Sequence, residues 1–204
     1  MLAVIALPVI LSILPARYQA LPREVPFAGA LALAVTMLAA QFARKKAFWM
    51  HAERYTAAIV LSLVTVLQLI LLTHLLRDMA KVHPEIGAIT LLTTAISIWT
   101  TNILIFALTY WQLDRGGPTG RGQGFHGRAD FSFTRGYPSD GVPADWRPIF
   151  ADYLALAFNT STAFSPTDAP PLTPRAKMLM TVQSIISLIT VIAVGARAIS
   201  ILGS

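Results

Sequence analysis

Long runs without Asp, Glu, Lys or Arg alternate with short polar segments along the chain. A helix needs about 20 mostly apolar residues to cross roughly 30 Å of hydrocarbon, so such runs predict membrane spans. Five runs qualify or nearly qualify, and they are 1–16, 25–43, 56–76, 87–113 and 178–196. The pattern predicts an all-α integral membrane protein with about five transmembrane helices.

The first run is short and contains Pro8 and Pro15. A signal peptide is the alternative to a first span. It would need a basic start and a small-residue cleavage site, whereas the run has no basic start and ends in Pro15-Ala16-Arg17. We therefore expect a retained first helix.

Composition agrees with a lipid environment. The 204 residues are 55% hydrophobic and only 13% charged, whereas soluble domains carry about 25% charged residues. The net charge of +6 comes from short Lys and Arg tracts that flank the apolar runs, a distribution typical of membrane helices and not of nucleic-acid binding. With no cysteine, thiolate metal sites and cysteine nucleophiles are excluded. We expect a multi-pass protein of the cell inner (plasma) membrane, with the lipid bilayer as its first partner and no nucleic-acid partner.

The segment 114–147 is rich in glycine and arginine and predicts a flexible external loop. A phosphate-binding loop is the alternative, but no GK[ST] follows the glycines. Four aromatic residues are apolar enough to fold part of the loop back, and they are Phe125, Phe131, Phe133 and Tyr137.

After this loop, the segment 148–163 predicts a half-length helix. Asp145 is expected as its N-cap, with Pro148 and Asp152 in its first turns. The apolar part, 153–158, is too short to span a membrane and leads into a proline-rich stretch. This order predicts a re-entrant loop, which requires a surrounding cavity or protein. We divide the chain into N-terminal transmembrane helices, 1–86, and a pore-like module, 87–204. The module comprises a span 87–113, a loop 114–147, a re-entrant helix and turn 148–172, and a span 176–202.

From Phe150 to Asp168 the spacing resembles the pore region of the potassium-channel superfamily. The resemblance implies a filter-like segment of Asn159, Thr160, Ser161, Thr162, Ala163, Phe164, Ser165, Pro166, Thr167 and Asp168. The glycine filter of those channels is replaced here by Ala163-Phe164-Ser165-Pro166-Thr167. Because Pro166 has a fixed φ and no N–H, we reject a standard potassium filter.

A second resemblance covers about 25–202 and rests on Tyr110-Trp111-Gln112-Leu113-Asp114 and on the stretch from Asp152-Tyr153-Leu154 to Thr167-Asp168. The chain resembles a family of uncharacterised bacterial multi-span membrane proteins with a domain of unknown function. This resemblance implies an architecture and no activity.

On the last helix, Gln183, Ser187, Thr190 and Arg197 share one stripe. We expect Gln183, Ser187 and Thr190 to line a pore. The alternative is that these groups hydrogen-bond within their own helix or to a neighbour. A similar stripe of Thr90, Thr94, Ser97 and Thr101, with Asn102 nearby, predicts that the fourth helix packs against the last.

The sequence contains no group of residues typical of a catalytic site. The four histidines are scattered and form no HExxH motif, and GxSxG is absent. We expect no enzyme activity, no metal and no cofactor. All three glutamates, Glu24, Glu53 and Glu85, are expected in loops, which argues against proton-coupled transport.

Two arguments on orientation conflict. A channel-like loop enters from outside, while the basic tract Arg44-Lys45-Lys46 favours the inside for the same face. We expect the channel-like orientation. One re-entrant loop per chain cannot surround a pore, so conduction requires cyclic assembly, with a homotetramer expected and a dimer or monomer as alternatives.

The sequence predicts a pore-loop ion channel or channel-like protein, weakly selective for monovalent cations. The first alternative is a non-conducting membrane scaffold or partner subunit with an inherited pore loop. A small-solute transporter is the further alternative, disfavoured because no second re-entrant half mirrors the first.

Overall fold

The computed structural model describes residues 2–13, 24–42, 46–80, 88–122, 128–133, 147–163 and 169–202. The described elements are helical: α1 Leu2–Ile13, α2 Glu24–Phe42, α3 Lys46–Ala80, α4 Ala88–Leu113, α5 Gly117–Gly122, α6 Phe150–Thr162 and α7 Pro174–Leu202. A short 3-10 turn, Asp114–Gly116, joins α4 to α5. An isolated antiparallel bridge pairs Phe131 with Pro171. Each of the five charge-free runs therefore coincides with a helix.

Three of these helices are long and apolar enough to cross a membrane, over His51–Ala80, Ile89–Gly116 and Pro174–Ala196. They belong to α3, α4 and α7. A shorter apolar segment, Phe27–Thr36, lies in α2. The chain is thus an all-helical protein with three candidate membrane spans in its described part.

Helix α3 begins well before the apolar run that predicted it. The basic and aromatic tract from Lys46 to Tyr55 continues the helix to 35 residues. This corrects the expectation that Glu53 lies in a loop, because Glu53 is helical and only 2% exposed. A periodic pattern marks the apolar part of a helix, whereas the helical backbone can continue into a charged interface without that signal.

Helix α4 is the centre of the molecule and contacts α1, α3, α6 and α7. The larger hydrophobic cluster joins α3, α4, α6 and α7 through side chains such as Leu75, Ile98, Phe106 and Ile186. A smaller cluster of Val4, Leu33, Ala57, Leu61 and Leu108 connects α1 and α2 to α3 and α4. The predicted packing of α4 against α7 is confirmed, with Thr94, Thr101 and Asn102 buried.

Helix α4 ends at a turn that demands glycine. Gly116 and Gly117 have φ of 76° and 81°, and Arg115 has φ of 51°. A Cβ on Gly117 would lie 3.1 Å from the carbonyl oxygen of Gln112. Glycine is therefore needed for the chain to reverse directly after the span.

The described parts of the segment after α4, 114–122 and 128–133, are held in place by helix and by buried side chains. Gly117–Gly122 is helical, and Phe131 and Phe133 are buried at 0% and 7% exposure. The prediction that aromatic residues fold this loop back is confirmed for these two, while Phe125 and Tyr137 lie outside the described residues.

Helix α6 starts later than predicted and has a different cap. Its N-cap is Ile149, whose N–H donates to Asp152 Oδ2 at 2.7 Å, while the Asp152 N–H donates to the Ile149 carbonyl at 3.1 Å. The capping carboxylate is thus inside the first turn, where it also meets the positive end of the helix dipole. Asp145, the expected N-cap, lies outside the described residues.

Candidate functional site

Asp114 joins three segments at the end of α4. Its side chain is fully buried, and Oδ1 accepts the backbone N–H groups of Asp130 at 2.8 Å and Phe131 at 3.3 Å. Oδ2 accepts the Tyr153 hydroxyl of α6 at 2.7 Å and lies 3.6 Å from Arg115 Nε. One carboxylate thereby holds the returning loop and the start of α6 against α4. Burial raises the pKa of Tyr153, so its hydroxyl remains a donor.

Arg121 of α5 closes over the same place. Its Nη1 donates to the carbonyls of Trp111 at 2.7 Å and Asp114 at 2.9 Å. The guanidinium lies 5.7 Å from the Trp111 ring centroid and 5.2 Å from that of Tyr153, in cation–π range. Burial lowers the pKa of Arg121, and the neighbouring Tyr153 and Asp114 oppose that shift.

Asp130 connects the loop to the start of α7. Its carboxylate accepts two hydrogen bonds from Arg175, Nε to Oδ1 at 2.7 Å and Nη2 to Oδ2 at 2.6 Å, and a third from the Thr173 hydroxyl at 2.6 Å. Backbone bonds from Leu172 to Asp130 and from Ser132 to Pro170 run alongside. Bidentate arginine–carboxylate pairs of this kind fix geometry as well as charge. We call Asp114, Arg121, Asp130, Tyr153 and Arg175 the surface cap.

The surface cap fixes both ends of the segment that contains α6. Tyr153 in the first turn of α6 contacts Asp114, and Pro171 beyond its far end pairs with Phe131. Both contacts lie at the end of α4 and the beginning of α7. The chain therefore enters and leaves the α6 segment at the same end of these two helices.

The far end of α6 reaches deep along α4. Phe158 packs edge-on against Trp99 with ring centroids 5.9 Å apart. Trp99 lies about 21 Å along α4 from Leu113, at a rise of about 1.5 Å per residue. The 13 residues of α6 match this depth and fall short of a full crossing.

A second, uncharged network holds the deep part of α6. Gln183 of α7 donates through Nε2 to the Ala157 carbonyl at 2.7 Å and to Ser161 Oγ at 2.8 Å, and its Oε1 accepts the Tyr110 hydroxyl. Asn102 of α4 donates to Ser187 Oγ at 2.8 Å and to the Gln183 carbonyl at 3.2 Å. We call Asn102, Tyr110, Ser161, Gln183 and Ser187 the amide network.

The amide network accounts for the stripe that the sequence singled out on α7. Gln183, Ser187 and Thr190 are at most 1% exposed within a single chain. They face α4 and α6 or their own helix, and Thr190 donates to Ile186. Within one chain neighbouring helices cover this face, and Gln183 and Ser187 bond to α6 and α4. That these residues line a pore stays a prediction.

Of the predicted filter-like residues, the structure describes the first five, 159–163. Thr160 and Ser161 are buried, Asn159 is half-buried, and Thr162 and Ala163 are exposed at the end of α6. Phe164, Ser165, Pro166, Thr167 and Asp168 lie outside the described residues, so their roles stay predictions. Only the last turn of α6 therefore presents predicted site residues to the surroundings within the described part.

Another face of α7 carries an open, mostly apolar groove of about 470 Å³ beside α6. Its lining includes Thr160, Lys177, Thr181 and Ser184. Thr181, Ser184 and Leu188 follow one another at helical spacing, so the groove runs along α7. We call this surface the α6–α7 groove.

Sequence reasoning missed the residues of the surface cap. Asp130 and Arg175 are 45 positions apart, and no local pattern links them. Asp114 offered a signal, since it is a carboxylate directly after an apolar run and before a pair of glycines. A carboxylate in this position lies at the end of a predicted span, where it can accept hydrogen bonds from the segment that follows.

No family model, no curated protein and no solved structure matches the chain. The resemblances to potassium-channel pore regions and to an uncharacterised bacterial family therefore stay predictions drawn from the residues.

Proposed function

We propose that the chain is a pore-loop membrane protein of the ion-channel type, weakly selective for monovalent cations, in which several copies, expected to be four, surround a shared path. The observation that carries this proposal is the placement of α6. Its segment starts and returns at the surface cap, while its far end contacts Trp99 deep along α4.

The direction of α6 supports a cation as the permeant species. The carboxyl end of a helix carries a partial negative charge, and here that end is the deep one. A polar turn at membrane depth requires protein or water around it. The proposed path runs past Thr162 and Ala163 and along the predicted filter-like residues 164–168, with Asp168 expected at its mouth.

The α6–α7 groove supports a particular arrangement of copies. Gln183, Ser187 and Thr190 are buried against other parts of the same chain. The face of α7 that we assign to a shared path is therefore the one with Thr181 and Ser184. These two hydroxyls and Lys177 give a mostly apolar face its polar groups, which suits a weakly selective path.

Reconstitution in liposomes tests the proposal. We expect monovalent cation flux above empty vesicles, a large loss in Ser184→Trp, which fills the α6–α7 groove, and unchanged flux in Ile189→Trp. Ile189 is 37% exposed on another face of α7 and is the matched control. No flux from folded wild-type protein, or equal flux in both variants, would overturn the proposal.

A non-conducting scaffold or partner subunit is the second candidate, favoured by one observation. The amide network holds Gln183 and Ser187 of the polar stripe on α7 in contacts within the chain. This candidate predicts no flux together with a stoichiometry other than four, which particle images of the purified protein would reveal.

A further inference from the structure

A second groove, of about 760 Å³, lies between α3, α4 and α7, away from the α6–α7 groove. It opens at the end of the molecule that carries the surface cap, where α3 begins, α4 ends and α7 begins. From Arg54 to Val66 its wall on α3 extends about 18 Å, at a rise of about 1.5 Å per residue. We call it the three-helix groove.

The open end of the three-helix groove is basic. Arg54 and His51 of α3 and Arg175 of α7 line it, and no carboxylate is among its lining residues. Arg175 forms an ion pair with Asp130, yet its side chain remains 55% exposed. Arg54 is exposed and forms no ion pair with any residue that the structure describes. The nearest acid in sequence, Glu53, is 2% exposed and is not one of the lining residues.

The deeper walls are apolar. Leu61, Val66, Phe106, Leu179 and Val182 lie along them. Four lining residues carry hydroxyls, Tyr55, Ser62, Thr65 and Thr109, and two of these are bonded within their own helix: Thr65 donates to Leu61 and Thr109 to Ile105. The groove therefore combines a cationic mouth with a hydrocarbon-like interior.

Gln112 lies between these two parts. Its side chain is only 9% exposed, and neither Nε2 nor Oε1 has a hydrogen-bond partner in the described structure. Both atoms are shielded from solvent. Gln112 therefore adds to the wall of the groove and offers no accessible donor to a ligand.

We propose that the three-helix groove binds an anionic phospholipid. The phosphate lies at Arg54 and Arg175, and one acyl chain runs along Leu61, Phe106 and Val182. Basic pockets between transmembrane helices are suited to such headgroups. The site is separate from the proposed conduction path, and its occupancy does not depend on whether the chain conducts.

Native mass spectrometry of the full chain in detergent tests the site. We titrate phosphatidylglycerol and phosphatidylcholine separately, and expect phosphatidylglycerol to bind about 25-fold more tightly, given two arginines worth about fivefold each near an anionic group. Arg54→Gln should weaken phosphatidylglycerol binding about fivefold and leave phosphatidylcholine unchanged.

Two further variants separate this site from general lipid contact. Arg77→Gln removes an exposed arginine at the opposite end of α3 and should leave binding unchanged. Ser62→Trp, at an exposed position in the groove wall, should block phosphatidylglycerol binding without removing charge.

Three outcomes would overturn the proposal. They are equal affinity for the two lipids, an Arg77→Gln effect as large as that of Arg54→Gln, and full binding in Ser62→Trp. Displacement of phosphatidylglycerol by millimolar inorganic phosphate would likewise reduce the site to a general anion site.

Discussion

The surface cap and the amide network both connect α4, α6 and α7, yet they use different chemistry. The cap contains two fully buried carboxylates with arginine partners, at the ends of the helices. The amide network contains only amides and hydroxyls and contacts the deep half of α6. Charge is thus concentrated where the helices end, and neutral donors are used where an ion would cost far more. The two networks should respond very differently to substitution.

The largest effect should come from Asp114→Ala. This change leaves the N–H groups of Asp130 and Phe131 and the Tyr153 hydroxyl without their acceptor. At about 1–3 kcal/mol for each buried donor left unsatisfied, we expect a loss of about 3 kcal/mol or more in the free energy of unfolding. Thermal unfolding in detergent, followed by tryptophan fluorescence, measures it.

Asp114→Asn and Arg128→Gln are the controls for this prediction. The asparagine keeps one acceptor oxygen and should fall between wild type and Asp114→Ala. Arg128 is exposed and donates one bond to Leu172, so its replacement should cost under about 1 kcal/mol. Equal losses in the free energy of unfolding for Asp114→Ala and Arg128→Gln would show that Asp114 is not the central residue of the surface cap.

An intermediate effect is expected from Gln183→Leu in the amide network. The change removes bonds to Ala157, Ser161 and Tyr110 from a fully buried site. Hydrogen bonds between membrane helices average about 0.6 kcal/mol each, so we expect about 1–2 kcal/mol in the same unfolding assay. Thr181→Val, at an exposed hydroxyl bonded only to its own helix at Lys177, should change little. A loss for Gln183→Leu above that of Asp114→Ala would reverse the ranking of the two networks.

The smallest expected effect is a difference between two tyrosines. Tyr153 donates to a carboxylate and Tyr110 to a neutral amide, and both rings are fully buried. Hydrogen bonds to charged groups contribute about 1.5–3 kcal/mol, and those between membrane helices about 0.6 kcal/mol. Tyr153→Phe should therefore destabilise more than Tyr110→Phe, by about 1 kcal/mol. Identical unfolding curves for the two variants would contradict the comparison.

The sequence predicted the positions of the helices better than the contacts between them. Charge-free runs located α1, α2, α3, α4 and α7, and proline and polar residues marked α6, because each of these signals is local. The spacing of Gln183, Ser187 and Thr190 correctly indicated a shared face, but spacing does not reveal which neighbour covers it. The pairing of Asp130 with Arg175 depends on how the whole segment folds back, and nothing within one helical turn of either residue encodes it.

The distances along the chain within the surface cap determine when it can form during synthesis. Asp114 is synthesised first, and the three groups that donate hydrogen bonds to its side chain follow 16, 17 and 39 residues later. The arginine that pairs with Asp130, Arg175, follows Asp130 by 45 residues. A nascent chain that stops before α7 therefore contains every hydrogen-bond donor to the Asp114 side chain but lacks the Arg175 that pairs with Asp130. The surface cap is therefore completed late in synthesis. The segment between α4 and α7 is held at both ends only after the start of α7 has been made.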